Sequence, residues 1–317
     1  MSNPAIVALG GGHGLSATLS ALRLMSDRLT AVVTVADDGG SSGRLRDELD
    51  VLPPGDLRMA LAALCDDSEW GRTWRDVLQH RFSSAGDLDN HAVGNLLIVA
   101  LWELLDDPVA GLDWVGRLLN ARGRVLPMAA VPLRIEADVR TSAGVDLVVG
   151  QSQVALTTGR IEQLRLVPHD PPACPEVVEA IHAADWVVLG PGSWFSSVLP
   201  HLLVPQVHEA LHTTAARRCV TLNLSSDGGE TYGLGAVDHL DVLRRHAPDL
   251  QIDAVVADPS AVEDIAALVD STRELGARLL LRQVSRGDGT ARHDPLRLAA
   301  AYRDVFDGVV GDVTPGG

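Results

Sequence analysis

Three hydrophobic patterns share the chain. The first is the apolar run, unbroken at Ala5–Leu9 and Trp186–Leu189 and interrupted by a few polar residues at Thr30–Val35, Val220–Leu224, Ile252–Ala257 and Ala277–Gln283. Short runs dominated by apolar residues predict strands buried on both faces of a parallel sheet. The second is apolar residues at helical spacing, as with Leu15, Leu19 and Leu22. It predicts helices over 57–64, 70–82, 96–105, 108–122, 175–184, 198–203, 236–245 and 261–275, and a last one from Asp294. The third is strict alternation. Leu133, Ile135, Ala137 and Val139 alternate with charged residues, Ser142-Ala143-Gly144 makes a turn, and Val145–Val149 and Ile161–Leu166 read as short strands. That pattern predicts a half-exposed antiparallel patch.

Strands alternating with helices define the fold class as α/β: a Rossmann-like, doubly wound, mainly parallel sheet with a small antiparallel patch. One domain over 1–317 is expected, with 124–168 as a candidate antiparallel subdomain and no internal repeat.

The ends of the buried strands carry the chemistry. Ala5–Leu9 runs into Gly10-Gly11-Gly12-His13-Gly14 and then a helix. Strand, glycine turn and helix start aim backbone amides and a positive helix end at a phosphate. Gly12, Gly14 and Ala17 also fit the dinucleotide pattern G-x-G-x-x-G/A, although such turns serve tight packing as well. Asp37 lies 23 residues after Gly14, where a dinucleotide fold places its ribose carboxylate. Asp37 and Asp38 alternatively only cap their turn. Trp186–Leu189 repeats the opening device with Gly190, Gly192, Ser193, Ser196 and Ser197, so the two turns could face one diphosphate from both sides. A further glycine loop, 225–231, follows Val220–Leu224. Asp56 is placed to cap the helix from Leu57, and polar Asn90, His91 and Asn95 either cap or face a ligand.

Composition narrows the partners. A net charge of −16 argues against nucleic acid and against an anionic membrane surface. No apolar run reaches membrane-spanning length, and strand begins almost at once, so a cytoplasmic protein without signal peptide is expected. All 26 basic residues are arginine, which removes lysine chemistry: no Walker lysine, Schiff base or lysine general base. Cys65, Cys174 and Cys219 are far apart and read as buried thiols.

His208-Glu209-Ala210-Leu211-His212 matches H-E-x-x-H, with Glu230 downstream as a third zinc ligand in a hydrolase reading. The strand that follows at once, and the glycine loop around Glu230, favour an ordinary surface helix instead. No G-x-S-x-G elbow occurs, and the serines lack a partner base.

Taken together, GGGHGLS at 10–16, TAVVTVADDGGSSGRLR at 30–46, PPGDLR at 53–58, HAVGNL at 91–96, GPGSWFSSVLPHLLV at 190–204, GGETYG at 228–233 and ARHD at 291–294 resemble one family, the YvcK-type gluconeogenesis factors, or CofD-like proteins. The sister branch is the 2-phospho-L-lactate transferase. The resemblance implies a fold binding a nucleoside diphosphate. In the gluconeogenesis-factor branch that ligand is a UDP-sugar, notably UDP-N-acetylglucosamine, in a regulator of carbon flux, cell-wall synthesis and bacterial cell shape. By position, Gly11, Gly12, Gly14 and Gly192 would approach phosphates through backbone. Ser193, Ser196 and Ser197 would donate to phosphate oxygens, Asp37 would face sugar hydroxyls, Asn95 and Asn223 would fix polar groups, and Arg292 would pair with the diphosphate. His13, Asp38, Ser41, Ser42, Asp56, Gly190, Glu230 and Thr231 complete the ligand-binding candidates. No catalytic residue, cofactor or resident metal is implied for a regulator; a transferase would need Mg2+, with Asp37, Asp38 and Asp56 as ligands. An NAD-linked enzyme is the remaining alternative. A homo-oligomer is compatible with the sequence, and no protein partner is named by it.

Overall fold

The computed structural model describes residues 3–225 and 228–309; Ser226 and Asp227, inside the predicted 225–231 loop, lie outside the described residues. Seven parallel strands form the main sheet: β1 (Ile6–Gly10), β2 (Leu29–Val33), β3 (Arg124–Pro127), β7 (Trp186–Leu189), β8 (Arg217–Thr221), β9 (Ala254–Ala257) and β10 (Arg278–Leu281). Their order is β10-β9-β8-β7-β1-β2-β3. β1 is buried at every position, as its apolar run predicts, and pairs in register with β2 on one side and β7 on the other.

This order fixes where a ligand can bind. The chain leaves β1 toward β2 and β3, then returns to the opposite side of β1 through β7 and continues to β10. The strand order therefore reverses between β1 and β7, and the loops at their carboxyl ends diverge to leave a crevice.

Helices cover both faces. α1 (Gly12–Leu22), α2 (Gly40–Leu49), α3 (Gly55–Leu64), α4 (Glu69–Gln79), α5 (Val93–Leu105) and α6 (Pro108–Leu118) come from the first half. α8 (Pro175–His182), α9 (Pro205–Thr213), α10 (Ala236–His246), α11 (Ile265–Glu274) and α12 (Pro295–Phe306) come from the second.

A separate antiparallel sheet has the order β5-β4-β6, made by β4 (Arg134–Thr141), β5 (Gly144–Val149) and β6 (Arg160–Val167), with the short helix α7 (Gln151–Leu156) between the last two. β4 buries Ile135, Ala137 and Val139, the alternation seen in the sequence.

The structure corrects three local expectations. The patch begins at Arg134 and not at residue 124, because Arg124–Pro127 joins the parallel sheet beside β2. The glycine–serine stretch after β2 is half helix: Gly39 and Gly40 open α2, and the run from Arg44 to Leu49 carries good helix formers. The stretch after β7 is a π turn over Trp194–Val198 followed by a 3-10 turn over Leu199–Leu203, not an α-helix.

Candidate functional site

The crevice is floored by two glycine turns in direct contact. α1 starts immediately after β1, and no side chain caps it. Its first amides have no intrahelical acceptor, and its positive end favours an anion. Gly12 takes φ +55°, a left-handed conformation that favours glycine. A Cβ on Gly14 would lie 2.1 Å from the Pro191 carbonyl oxygen and 2.5 Å from the Gly192 Cα. Only glycine lets the β1 and β7 turns approach so closely.

Both turns line one cavity of about 710 Å³. That is the size range of a small-molecule site. Of the expected residues, Gly11, Gly12, His13, Gly14, Gly192, Ser193, Ser197, Asn223, Glu230, Thr231 and Arg292 all border it.

The roles inside this group differ from expectation. Asn223, two residues past the end of β8, clasps the backbone of Gly192: its Oδ1 accepts the Gly192 N–H at 2.9 Å and its Nδ2 donates to the Gly192 carbonyl at 2.9 Å. The Gly192 amide is thereby committed to Asn223, and Asn223 sets the shape of the β7 turn. Ser193 is exposed at the rim, and the Ser197 hydroxyl lies beside Gly11. Ser196 is 2% exposed and directed at the Glu230 carboxyl, away from the cavity. Glu230 Oε1 accepts the N–H groups of Phe195 at 2.8 Å and Ser196 at 3.3 Å. These are the amides at the start of the turn after β7, where a carboxylate now sits. Burial holds the Glu230 pKa above the usual carboxylate range, against the hydrogen bonds from Ser196 and Phe195. Gly190 takes φ +71° and its carbonyl accepts from Thr18 Oγ1, so it shapes the turn from behind.

The opposite wall carries arginine on a hairpin that the sequence reading found only in part. Ser285 and His293 bridge across it, and the Arg286 N–H donates to the Arg292 carbonyl at 2.9 Å, so Arg286 and Arg292 lie side by side on the cavity rim. Asp258, past the end of β9, pins the hairpin base: Oδ2 accepts the N–H groups of Val284 and Ser285, each at 2.8 Å. Its Oδ1 accepts from the Ser260 N–H and hydroxyl. Burial alone would raise the Asp258 pKa, but these hydrogen bonds bring it down to about 2. Arg286 could have been found from sequence, since Gly287, Asp288 and Gly289 mark a turn between it and Arg292.

A second polar cluster lies beneath the first turn. A Cβ on Gly11 would meet Asp56 Oδ2 at 2.6 Å and Ser197 Oγ at 3.3 Å, which puts Asp56 directly against the cavity floor. Asp37 and Ser42 meet at Gly55, one residue from Asp56. Part of the Asp56 surface remains open to solvent, yet it sits deep in the protein mass. Burial and the neighbouring Asp37 charge push its pKa up to about 7, against the Gly12 N–H and Arg58. Buried Arg58 donates to Asn95 Oδ1 at 2.8 Å, Asn95 Nδ2 donates to Ser41 Oγ at 3.0 Å, and Ser41 contacts His91 Nδ1 at 3.0 Å. Asn95 and Ser41 thus belong to this buried chain and not to the cavity wall. Asp38 is elsewhere again: its Oδ1 accepts the Ser152 N–H and hydroxyl, tying α7 to the main sheet.

The H-E-x-x-H residues lie on α9, as the spacing predicts, but each imidazole has its own carbonyl partner: His208 with Leu202 and His212 with Asp249. Glu230 faces the cavity instead. Among the described residues no group of three His, Cys, Asp or Glu side chains could hold a metal ion. Cys65, Cys174 and Cys219 are buried and free. No described helix is long and apolar enough to cross a membrane.

A doubly wound sheet with its cleft at the β1–β7 reversal, walled by two glycine turns and an arginine hairpin, defines an α/β protein of CofD-like type. Comparison with known proteins agrees. The family described as 2-phospho-L-lactate transferase CofD matches residues 6–280. A Mycobacterium tuberculosis relative, provisionally named a gluconeogenesis factor, is 52% identical over 96% of this chain and 90% of its own length. The gluconeogenesis factor of Halalkalibacterium halodurans is 38% identical over 83% of this chain and 80% of its own. The crystal structure of a UPF0052 family member from Bacillus halodurans superposes with a TM-score of 0.84 at 33% identity, covering 95% of this chain and 99% of that one. The chain belongs to the CofD-like family, in its gluconeogenesis-factor (YvcK, UPF0052) branch.

Proposed function

We propose that the protein is a cytoplasmic, non-catalytic receptor for a UDP-sugar, with UDP-N-acetylglucosamine as the favoured ligand, and that it regulates carbon flux, cell-wall synthesis and cell shape. The observation that carries this reading is the single cavity shared by the α1 start, Ser197 and the two hairpin arginines. The positive end of α1 and a pair of guanidinium forks suit the oxygens of a diphosphate. The overall negative charge does not oppose this, because Arg286 and Arg292 border the cavity. No cofactor is needed. Isothermal titration and thermal shift with UDP-N-acetylglucosamine, UDP, GDP and NAD test the reading. Saturable binding of the UDP ligands supports it; no response to them where another nucleotide responds overturns it.

A transferase like the sister branch is the second reading, and Asp56 favours it. Asp37 and Asp56 would hold a Mg2+ ion, the other positions being filled by water and ligand oxygens as this ion prefers. The ion would neutralise charge on the diphosphate. Release of nucleoside monophosphate from a phospholactyl donor and a deazaflavin acceptor would establish it.

A further inference from the structure

β5 is an open sheet edge. In the order β5-β4-β6 it pairs with β4 alone, and among the described residues no other strand or loop hydrogen-bonds to its backbone. Its register with β4 runs without a bulge from Thr141–Gly144 to Glu136–Val149. The Gly150 N–H continues that register by donating to the Ile135 carbonyl. Hydrogen-bonded positions alternate along an antiparallel ladder. Gly144, Asp146 and Val148 share the phase of Gly150 and turn their backbone groups toward β4. Val145, Leu147 and Val149 therefore turn theirs outward. Their side chains lie on the outer face of the sheet, opposite Arg140, Asp138 and Glu136, and are 49%, 57% and 43% exposed. Sheet edges are ordinarily blunted by shortness, proline, basic side chains or a bulge. The edges of the main sheet, β3 and β10, follow that rule: each is four residues long and begins with an arginine. β5 has six residues, no proline, no basic residue, and Asp146 as its sole charge.

We propose that β5 pairs with β5 of a second copy of the chain, antiparallel across a two-fold axis at Leu147, so that the two small sheets become one. The edge selects this occupant because it reads the same in both directions. Its outward backbone groups stand at 145, 147 and 149, symmetrically about Leu147, and the side chains there are valine, leucine and valine. With Leu147 opposite its twin, Val145 of each copy lies opposite Val149 of the other. Every outward N–H and C=O of both strands then meets a partner in a single register, and the aliphatic side chains form cross-strand pairs. Sliding the twin by two residues leaves groups at both ends unpaired. This is the self-complementarity that a two-fold contact requires. The charges flanking the strip on β4 are already paired: Asp138 with Arg165, Arg140 with Glu162, and Glu136 with Arg134 at 3.8 Å. An apolar centre with a polar rim is the usual anatomy of an interface. On the inner face Asp146 lies opposite Val148 of the twin, so the two Asp146 carboxylates stand diagonally, about 7–8 Å apart. They, and the net charge of −16 on each copy, oppose association and are screened by salt. One strand pair is a small interface, of the kind that gives a weak and concentration-dependent dimer.

Sedimentation velocity of the full chain over a hundredfold concentration range tests this. The expected result is a monomer–dimer equilibrium that tightens with added salt and with Asp146→Asn. Leu147→Pro removes an outward N–H and no bond to β4. It should weaken the dimer at least tenfold, as should Leu147→Lys, which keeps the backbone intact and carries the test if the proline variant misfolds. Circular dichroism and melting temperature of the lysine variant should stay as in the parent. Leu104→Glu, at a leucine 80% exposed on α5, serves as control and should change nothing. The register has its own readout. Leu147→Cys sets the two thiol-bearing Cα atoms about 5.5 Å apart, within disulfide reach, and should link the dimer on mild oxidation. Val145→Cys alone should not, because its twin lies four residues away along the strand. A chain monomeric at every concentration, which would leave the edge to a strand of another protein, overturns the proposal. So does a dimer untouched by both Leu147 variants, or one that links through Val145→Cys and not through Leu147→Cys.

Discussion

Replacing Asp56 by Asn isolates a strongly perturbed carboxyl at the cavity floor. The side chain keeps its shape and an acceptor for the Gly12 N–H but loses its charge. In the folded protein the Asp56 pKa rises from an ordinary 3.8 to about 7, through burial first and Asp37 second. The folded state therefore binds this proton more tightly than the unfolded chain. Between pH 4 and 7 the group makes stability fall as pH rises, and above 7 the full penalty of a buried second negative charge is present. At 1.36 kcal/mol per unit, the rise corresponds to roughly 4 kcal/mol at most. Relaxation around the Asp37–Asp56 pair will reduce what is measured to about 1–3 kcal/mol. The assay is urea unfolding of parent and Asp56→Asn between pH 4.5 and 8.5, read as the difference between the two so that other carboxylates cancel. The variant should match the parent at the acid end and become more stable as pH rises, reaching a plateau above 7. A difference that does not change with pH, or a variant less stable at pH 8.5, would refute the reasoning. Millimolar Mg2+ adds a second comparison. If Asp56 holds the ion in the transferase reading, Mg2+ stabilises the parent at pH 8 and leaves the variant unmoved.

Other consequences follow from the same geometry. Gly14→Ala drives a methyl into the Pro191 carbonyl 2.1 Å away, so it should cost about 1–3 kcal/mol by overpacking and weaken diphosphate binding; an unchanged melting temperature and affinity would contradict the contact. Asn223→Ala frees both polar groups of Gly192, and ligand titration should show at least tenfold weaker binding with the fold retained. Arg286→Ala and Arg292→Ala should each weaken UDP binding and flatten its dependence on salt, because each removes a charge from the rim. Asp258→Asn should lower affinity through the same arginines, so that adding it to the Arg286→Ala, Arg292→Ala double variant costs little more. Its own carboxylate contributes stability that is present above pH 4 and lost as pH falls toward about 2.

What the sequence discloses depends on how local the cause is. β1 and β7 are legible because a strand buried on both faces must be a continuous apolar run, and their glycine turns follow directly in the chain. From these two elements alone the crevice and most of its wall can be placed. β3 escapes because its four residues, Arg124 to Pro127, hold too little pattern to separate them from the antiparallel sheet nearby. The misread roles share one cause: each is set by a partner distant in the chain. Asp38 is taken by Ser152, 114 residues on, and Asn223 is spent on Gly192, 31 residues back. Ser196 is drawn to Glu230, 34 residues away. A polar residue at a strand end can serve a ligand or the loop beside it, and the residue type is the same in both cases. Asp37 illustrates the point. Its spacing from Gly14 fits a ribose carboxylate, yet it accepts from the Gly39 N–H and stands beside Ser42 and Asp56 below the floor. Within the fold the motif ADDGGSSGRLR acts as a support. Asp37 and Ser42 pack at the start of α3, Asp38 holds α7, and Ser41 holds Asn95 and His91. Together they bring Asp56 under Gly11 and Gly12, where its proton can respond to whatever charge the cavity receives.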